Sequence, residues 1–158
     1  MLIVYLDNCC YNRPFDDRSN IRNYLEREAV LIIMQMAYEG NIKIVGSEVL
    51  QKEMSLISNN EKRRDVESIY NELTSAVIML NGWIIRRAEE IMAQSSIKSF
   101  DSLHLASAET EADVLLTTDT KFMKAANRLN TKIRVRNPIN FLLEVSENEY
   151  GNSSDKRK

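Results

Sequence analysis

Leu2-Ile3-Val4-Tyr5-Leu6-Asp7, near the start of the chain, indicates the fold class. Five consecutive apolar residues have the length of one strand, and a run without polar alternation is typical of a strand buried on both faces. Such strands occur almost only in parallel sheets whose two faces are covered by helices. The stretch therefore predicts a central parallel strand with a carboxylate, Asp7, at its carboxyl end.

Strand-like and helical segments alternate through the rest of the chain. Further strands are predicted at residues 42–45, 77–80, 114–117 and 132–136, the last with the alternation of an edge strand. Helices are predicted at residues 21–39, 48–57, 62–75, 83–94, 101–111, 120–129 and 138–143, with Ser47 and Asn81 as N-caps. The polar, turn-rich segment 8–20 is predicted to be a long loop. This alternation predicts an α/β fold with a parallel sheet covered on both faces.

Length and composition indicate a single globular domain. The chain has 158 residues, of which 44% are hydrophobic and 28% charged, and a formal net charge of −2. We expect a domain over residues 1–145 and a polar, disordered tail over 146–158. We expect a cytoplasmic protein without a membrane span, because the apolar runs are short, no basic leader precedes the first strand, and the adjacent Cys9 and Cys10 are poor disulfide partners. The net charge gives no overall attraction to nucleic acid, so a nucleic-acid partner needs a local basic patch or metal ions.

Two acidic residues stand at the carboxyl ends of predicted strands. Asp7 ends the first run, and Asp119 follows the apolar run 114–116 through two threonines. In open parallel sheets, ligands bind beyond the carboxyl ends of the strands, near the point where the strand order reverses. A site at that edge would include both residues. Capping of the helix that follows is the alternative role for Asp119.

A third acidic residue, Glu53, lies on the apolar face of a predicted helix. At about 100° per residue, its side chain shares a face with the apolar residues Val49, Leu50, Met54 and Ile57. Glu48 lies on the other side of this helix beside the N-cap, where a negative charge suits the helix dipole. Glu53 is therefore the candidate ligand and Glu48 the capping residue, with a surface position at the edge of the apolar stripe as the alternative for Glu53.

The fourth acidic residue, Asp101, begins a predicted helix and shares its inward face with Leu105, Ala108 and Ala112. The alternative is a surface position favoured by the helix dipole. His104 lies one turn on, between two leucines, and we expect it to be a hydrogen-bonded structural residue more readily than a catalytic one. The chain has no second histidine with which to complete a histidine-based zinc site.

The four carboxylates together predict a metal site. Carboxylates are rarely buried unless they are paired or bound to a metal ion. Ligands that are all oxygen atoms favour Mg²⁺ or Mn²⁺ over zinc. Such an ion would relieve the mutual repulsion of the carboxylates and would suit hydrolysis of a phosphodiester bond.

Four segments resemble the motifs of PIN-domain ribonucleases, a family that includes the VapC-type toxins of type II toxin–antitoxin systems. They are Tyr5-Leu6-Asp7-Asn8, Ser47-Glu48-Val49-Leu50-Gln51-Lys52-Glu53, Asp101-Ser102-Leu103-His104-Leu105-Ala106 and Leu116-Thr117-Thr118-Asp119. The resemblance implies a three-layer α/β/α sandwich with a parallel five-stranded sheet. It also implies an Mg²⁺- or Mn²⁺-dependent site that cleaves single-stranded RNA and consists of Asp7, Glu53, Asp101 and Asp119. A cognate antitoxin and a homodimer are the partners that the resemblance implies.

The chain departs from the family pattern in three places. Asn8 stands where a small hydroxyl residue often follows the first aspartate, the segment 9–20 is long and polar, and Lys121 stands two residues after Asp119, where it supplies no further acidic ligand. Asn8, Arg13 and Lys121 are the candidates for contact with the substrate, and Arg18 and Lys124 also lie near the predicted ligand end of the sheet, where they could hold phosphates. Solvation of the surface is the alternative for the four basic residues.

Other functions would also place an aspartate after a first parallel strand. A catalytically silent PIN-like module that binds a protein would retain the same residues. A phosphoaspartate protein is less favoured, because Cys9 stands where the phosphatase has a second aspartate, and no lysine ends the last strand as in a receiver domain. A dinucleotide-binding domain is excluded, since no GxGxxG motif follows the first strand.

Overall fold

The structure is a computed structural model that describes the backbone of residues 1–155 and the side-chain surroundings of residues 1–148. Within residues 1–155, the strands are β1 (Ile3–Leu6), β2 (Lys43–Ser47), β3 (Thr74–Ile78), β4 (Val114–Leu116) and β5 (Arg134–Arg136). The helices are α1 (Asn8–Asn12), α2 (Ile21–Tyr38), α3 (Glu48–Ser55), α4 (Asn60–Leu73), α5 (Gly82–Gln94), α6 (Ser99–Glu111), α7 (Thr120–Asn127) and α8 (Pro138–Asp155). A short 3₁₀ helix, Arg13–Phe15, follows α1.

The strands form one parallel sheet in the order β3-β2-β1-β4-β5. β1 lies at the centre, where Tyr5 is in register with Val45 of β2 and Leu115 of β4. The chain adds β2 and β3 on one side of β1 and then β4 and β5 on the other, so the strand order reverses between β1 and β4. The predicted α/β fold with a five-stranded parallel sheet is confirmed. This reversal favours a ligand site beyond the ends of β1 and β4.

Burial explains why the two central strands lack polar alternation. Val4, Tyr5 and Leu6 of β1 and all three residues of β4 have no exposed surface. Helices cover the sheet, with α5 packed against α6 and α2 packed against α8. The apolar run at the start of the sequence is therefore the centre of the hydrophobic core.

The segment 8–20 is not the long loop that the sequence predicts. α1 and the 3₁₀ helix occupy residues 8–15 and leave a loop of 16–20. α1 begins because the Asp7 side chain accepts a hydrogen bond from the backbone N–H of Asn8 at 2.8 Å. Cys10 and Tyr11 then anchor the helix by complete burial. The prediction was wrong because the polar composition of the segment obscured these two buried residues.

Two other elements have boundaries that differ from the prediction by three residues or more. β3 begins at Thr74 instead of residue 77, because the chain enters the sheet directly after α4 ends at Leu73. α8 runs to Asp155, so helix continues through residues 146–155, which the sequence assigned to a disordered tail. Residues 156–158 of that tail lie outside the described part, and a domain boundary at residue 145 stays a prediction. Within residues 1–155, no helix combines the length and the hydropathy needed to cross a membrane.

Candidate metal centre

The carboxylates of Asp7, Glu53, Asp101 and Asp119 line one pocket of about 400 Å³, which we call the acidic pocket. Asp7 follows β1 and Asp119 follows β4, while Glu53 and Asp101 lie on α3 and α6. The structure therefore brings together the four residues that the sequence singles out. Their roles as metal ligands and catalytic residues stay predictions.

Both carboxylate oxygens of Asp7 are held by hydrogen bonds. Oδ1 accepts from the backbone N–H of Asn8 at 2.8 Å, and Oδ2 accepts from the hydroxyl of Thr117 at 2.8 Å. The Thr117 hydroxyl oxygen also accepts from the backbone N–H of Asp119 at 3.1 Å. Thr117 is buried and joins the ends of β1 and β4, and sequence analysis did not identify it. Asp7 is consequently fixed in place next to the Asp119 segment.

Asp119 caps a helix and lines the acidic pocket at the same time. Its Oδ1 accepts from the backbone N–H of Phe122 at 3.0 Å, which makes it the N-cap of α7. Arg22 of α2 holds the residues on either side, donating to the Thr118 carbonyl at 3.3 Å and the Thr120 hydroxyl at 2.6 Å. The capping role that the sequence suggests for Asp119 is present, and it leaves Oδ2 available for another partner.

Glu53 and Glu48 occupy different surroundings, as their positions on α3 suggest. Glu53 lines the acidic pocket, and its Oε1 lies 3.2 Å from Nε2 of His104. Glu48 lies in the first turn of α3 and accepts from the backbone N–H of Leu80 at 3.2 Å. Ser47 caps the same helix by accepting from the backbone N–H of Leu50 at 3.0 Å, as predicted.

The pKa of Asp101 is raised to about 6, because burial disfavours its charged form and because Asp7, Asp119 and Glu53 are negatively charged neighbours. The imidazole of His104 acts in the opposite direction. Carboxylates that are placed to bind a cation are expected to repel one another. Without a cation, the ionised form of Asp101 destabilises the folded state at neutral pH.

We expect Asp101→Asn to melt at a higher temperature than the wild-type protein at pH 7.5 in a chelator. The folded state binds a proton on Asp101 more tightly than the unfolded chain, whose aspartates have a pKa of about 3.9. The free energy of unfolding of the wild type therefore rises as the pH falls from 7.5 through 6. The asparagine variant has no ionised carboxylate at this position, so it is free of the repulsion at every pH. Solvent screening of the partly exposed group limits the gain to about 1 kcal/mol, or about 2–4 °C.

The advantage of Asp101→Asn should shrink at pH 5, where the wild-type residue is largely protonated. Asp65→Asn on the exposed face of α4 serves as the control for removal of a negative charge. Thermal melting followed by circular dichroism measures both effects. An Asp101→Asn variant that melts at or below the wild-type temperature at pH 7.5 would contradict a destabilising repulsion between Asp101 and the neighbouring carboxylates.

His104 lies at the end of a buried hydrogen-bonded chain. Its Nδ1 is 2.6 Å from the hydroxyl of Tyr5, which is 2.7 Å from the hydroxyl of Ser47, the N-cap of α3. All three side chains are fully buried. Burial lowers the pKa of His104, but the hydrogen bond to Glu53 and the charges of Asp7 and Glu53 outweigh it, so the pKa is raised overall. In the neutral Nε2–H form, Ser47 donates to Tyr5, Tyr5 donates to Nδ1, and Nε2–H donates to Glu53.

The geometry also allows His104 to contribute to a metal site, a role that the sequence left unassigned. Its ring nitrogen and one oxygen each of Asp7 and Glu53 lie within 4.8 Å of one another. Binding of a metal ion through Nε2 would move the hydrogen to Nδ1, so that Nδ1 would donate to Tyr5 and Tyr5 would donate to Ser47. The buried Ser47 hydroxyl, which already accepts from Leu50, would then lack an acceptor among the described residues. The hydrogen bonds therefore favour carboxylates as ligands and His104 as the residue that holds Glu53.

The three residues expected to contact the substrate are placed differently. Asn8 lines the acidic pocket, and Lys121 lines a neighbouring groove. Arg13 instead forms ion pairs, with Nη1 2.9 Å from Asp16 and Nη2 3.2 Å from Glu26. The structure thus commits Arg13 to internal contacts, and substrate binding by all three residues stays a prediction.

The chain is similar to known proteins in sequence and in fold. A family model described as the PIN domain matches residues 4–128. The crystal structure of FitAcB from Neisseria gonorrhoeae shares 17% identity and a TM-score of 0.59, over 85% of this chain and 97% of that chain. The crystal structure of VapBC2 from Rickettsia felis, bound to a DNA fragment from their promoter, shares 16% identity and a TM-score of 0.59, over 86% of this chain and 98% of that chain. No curated protein matches the sequence.

Proposed function

The chain belongs to the PIN domain family, and from this premise we propose that it is an endoribonuclease that hydrolyses single-stranded RNA with the aid of Mg²⁺ or Mn²⁺. PIN domains are generally nucleases that use divalent metal ions. The observation that carries the proposal is the convergence of four carboxylates from β1, α3, α6 and β4 on one pocket. Carboxylate oxygens are the ligands that these hard cations prefer.

The surrounding residues fit a divalent cation. Asp7, Asp101 and Asp119 are the proposed ligands, with Glu53 as a further ligand or as the residue that orients the attacking water. Thr117 and the Asn8 backbone hold Asp7, so its negative charge needs no rearrangement during the reaction. When bound, the cation supplies Lewis-acid stabilisation of the charge that develops on the phosphate.

Glu53 is suited to orient a water molecule because, among the described residues, only one of its two carboxylate oxygens has a hydrogen-bond partner. Oε1 accepts from His104 at 3.2 Å, and the side chain keeps 24% of its surface exposed. Oε2 can therefore accept a hydrogen bond from water entering the acidic pocket. In this mechanism Glu53 holds the water, while His104 fixes the direction of the carboxylate.

We also propose a protein partner, namely an antitoxin, together with a homodimeric state and a cytoplasmic location. The two similar crystal structures, FitAcB and VapBC2 bound to promoter DNA, support the antitoxin. The exposed side of α2 offers an apolar surface for a protein contact, with Ile21, Ile32 and Tyr38 exposed by 77%, 51% and 71%. A catalytically silent module that binds protein is the second candidate, since this surface serves that function equally well.

The proposal predicts metal-dependent cleavage. The full chain should cut some member of a pool of fluorescently labelled single-stranded RNAs when Mn²⁺ or Mg²⁺ is present, and should cut none in a chelator. DNA of matching sequence is the control for substrate class, and denaturing electrophoresis measures the products. Saturable Mn²⁺ binding by calorimetry without cleavage of any RNA would instead favour the silent binding module.

A further inference from the structure

A second pocket, of about 430 Å³, adjoins the acidic pocket and shares Asp101 and Asp119 with it. We call it the basic groove, because four of its lining residues are Lys98, Lys121, Lys124 and Arg128. It lies between the start of α6 and one side of α7. Among the described residues, no lysine or arginine lines the acidic pocket itself. The groove therefore gathers four positive charges beside the candidate metal centre.

The four basic side chains are free of internal ion pairs. Most arginines of the chain are paired, for example Arg87 with Glu109 and Arg136 with Glu144. Within residues 1–148, none of the four groove residues forms an ion pair, and all four are exposed. Their charges remain available to an anionic ligand.

The spacing of the groove residues on α7 forms a continuous basic strip. Lys121 and Lys124 lie on α7 and Arg128 is its C-cap; they are three and four residues apart, so they lie on one side of the helix and cover about 10 Å of its axis. The apolar part of the groove lining consists of Ile97, Phe122 and Ala125. A positively charged groove with apolar lining residues has the properties of a site for single-stranded nucleic acid, because the charges bind phosphates and the apolar residues accept sugar and base surfaces.

We infer that the basic groove binds the single-stranded RNA on one side of the cleaved bond, so that the strand passes over α7 and away from α1. This inference rests on the proposed ribonuclease activity and adds the path of the substrate. The remaining lining of the acidic pocket supports the same direction, since Asn8 and Asn12 are uncharged and Asp16 is paired with Arg13 at 2.9 Å and with Lys62 at 3.6 Å. Lys98 and Lys121 lie closest in sequence to the carboxylates at 101 and 119, while Lys124 and Arg128 extend the path outward.

Charge reversal at the outer end of the groove tests the inference. The double variant Lys124→Glu, Arg128→Glu should bind a randomised, labelled single-stranded RNA about tenfold or more weakly at about 100 mM salt. The slope of log affinity against log salt should become shallower by about 0.7 for each lost phosphate contact. Fluorescence anisotropy without divalent ions measures both quantities. In cleavage with Mn²⁺, KM should rise while kcat changes little, because the carboxylates are untouched.

The matched control is Lys43→Glu, Lys132→Glu, which makes the same charge change on exposed residues near the amino ends of β2 and β5. We expect this variant to bind RNA nearly as tightly as the wild type. Equal losses in the two double variants, or unchanged affinity in the groove variant, would overturn the inference. The binding assay requires no cleavage, so an inactive wild-type protein would count against the ribonuclease proposal alone.

Discussion

Asp7→Asn is expected to lower kcat/KM for RNA cleavage more than about 100-fold, since even residues that only support metal ligands contribute about 10–100-fold. The amide has the shape of the carboxylate but lacks the negative charge that a divalent cation needs. The fold should survive, because the Thr117 hydroxyl, now 2.8 Å from Oδ2, can rotate to accept a hydrogen bond from an amide at that position. Steady-state cleavage with Mn²⁺ and thermal melting measure the two effects.

Asp113→Asn is the matched control for this variant. Asp113 also contacts β1, but at the opposite end of the sheet, where its Oδ2 accepts from the backbone N–H of Ile3 at 2.8 Å. The same chemical change there should leave cleavage within about twofold of wild type and cost about 1 kcal/mol of stability. Cleavage by Asp7→Asn at the wild-type rate would contradict the assignment of Asp7 to the site. Equal losses of activity in Asp7→Asn and Asp113→Asn would contradict it as well.

Glu26→Ala is expected to lower the free energy of unfolding by about 3–5 kcal/mol, the usual cost of removing one partner of a buried ion pair. Glu26 has no exposed surface. Its Oε1 lies 3.2 Å from Arg13, and its Oε2 lies 3.3 Å from Arg22 and 2.6 Å from the side-chain amide of Asn137. The substitution removes the carboxylate that these three side chains share and creates a cavity under the first loop. We expect the melting temperature to fall by roughly 10 °C.

The control for Glu26→Ala is Glu28→Ala on the same helix. Glu28 pairs with Arg27, but 43% of its side chain is exposed, so its loss should cost less than about 1 kcal/mol. Urea denaturation measures both variants, and similar costs would contradict the importance of the buried cluster. The cluster also bears on the site, because Arg22 contacts Thr118 and Thr120, which flank Asp119. Glu26→Ala should therefore reduce cleavage even at temperatures where the variant is folded.

The sequence predicts features that depend on local pattern. The uninterrupted apolar run before Asp7 predicts β1, and helical phase distinguishes Glu53 from Glu48 on α3. The caps at Ser47 and Asn81 were also predictable, because a polar residue that precedes an apolar helix accepts its first free N–H groups. Each of these inferences concerns residues within about two helical turns of one another.

Features that join distant segments were not predictable. Thr117 donates to Asp7 across 110 residues of sequence, and Asn137 donates to Glu26 across 111. A threonine after a strand and a glutamate within a helix are common surface residues, so their types carry no signal of these contacts. Gly46 is a similar case, since a Cβ there would clash with the Tyr70 hydroxyl. Only the fold brings such pairs together.

The single histidine of the chain offers a spectroscopic view of the candidate site. Nitrogen-15 labelling of histidine would yield one pair of imidazole resonances, with no overlap from other residues. Nε2 contacts Glu53 and Nδ1 contacts Tyr5, which leads to the N-cap of α3. One resonance therefore reports on what Glu53 binds, and the other on the hydrogen-bonded chain behind it. During titration with a diamagnetic cation such as Mg²⁺, the shifts of the Nε2 and Nδ1 resonances would be measured in the same sample.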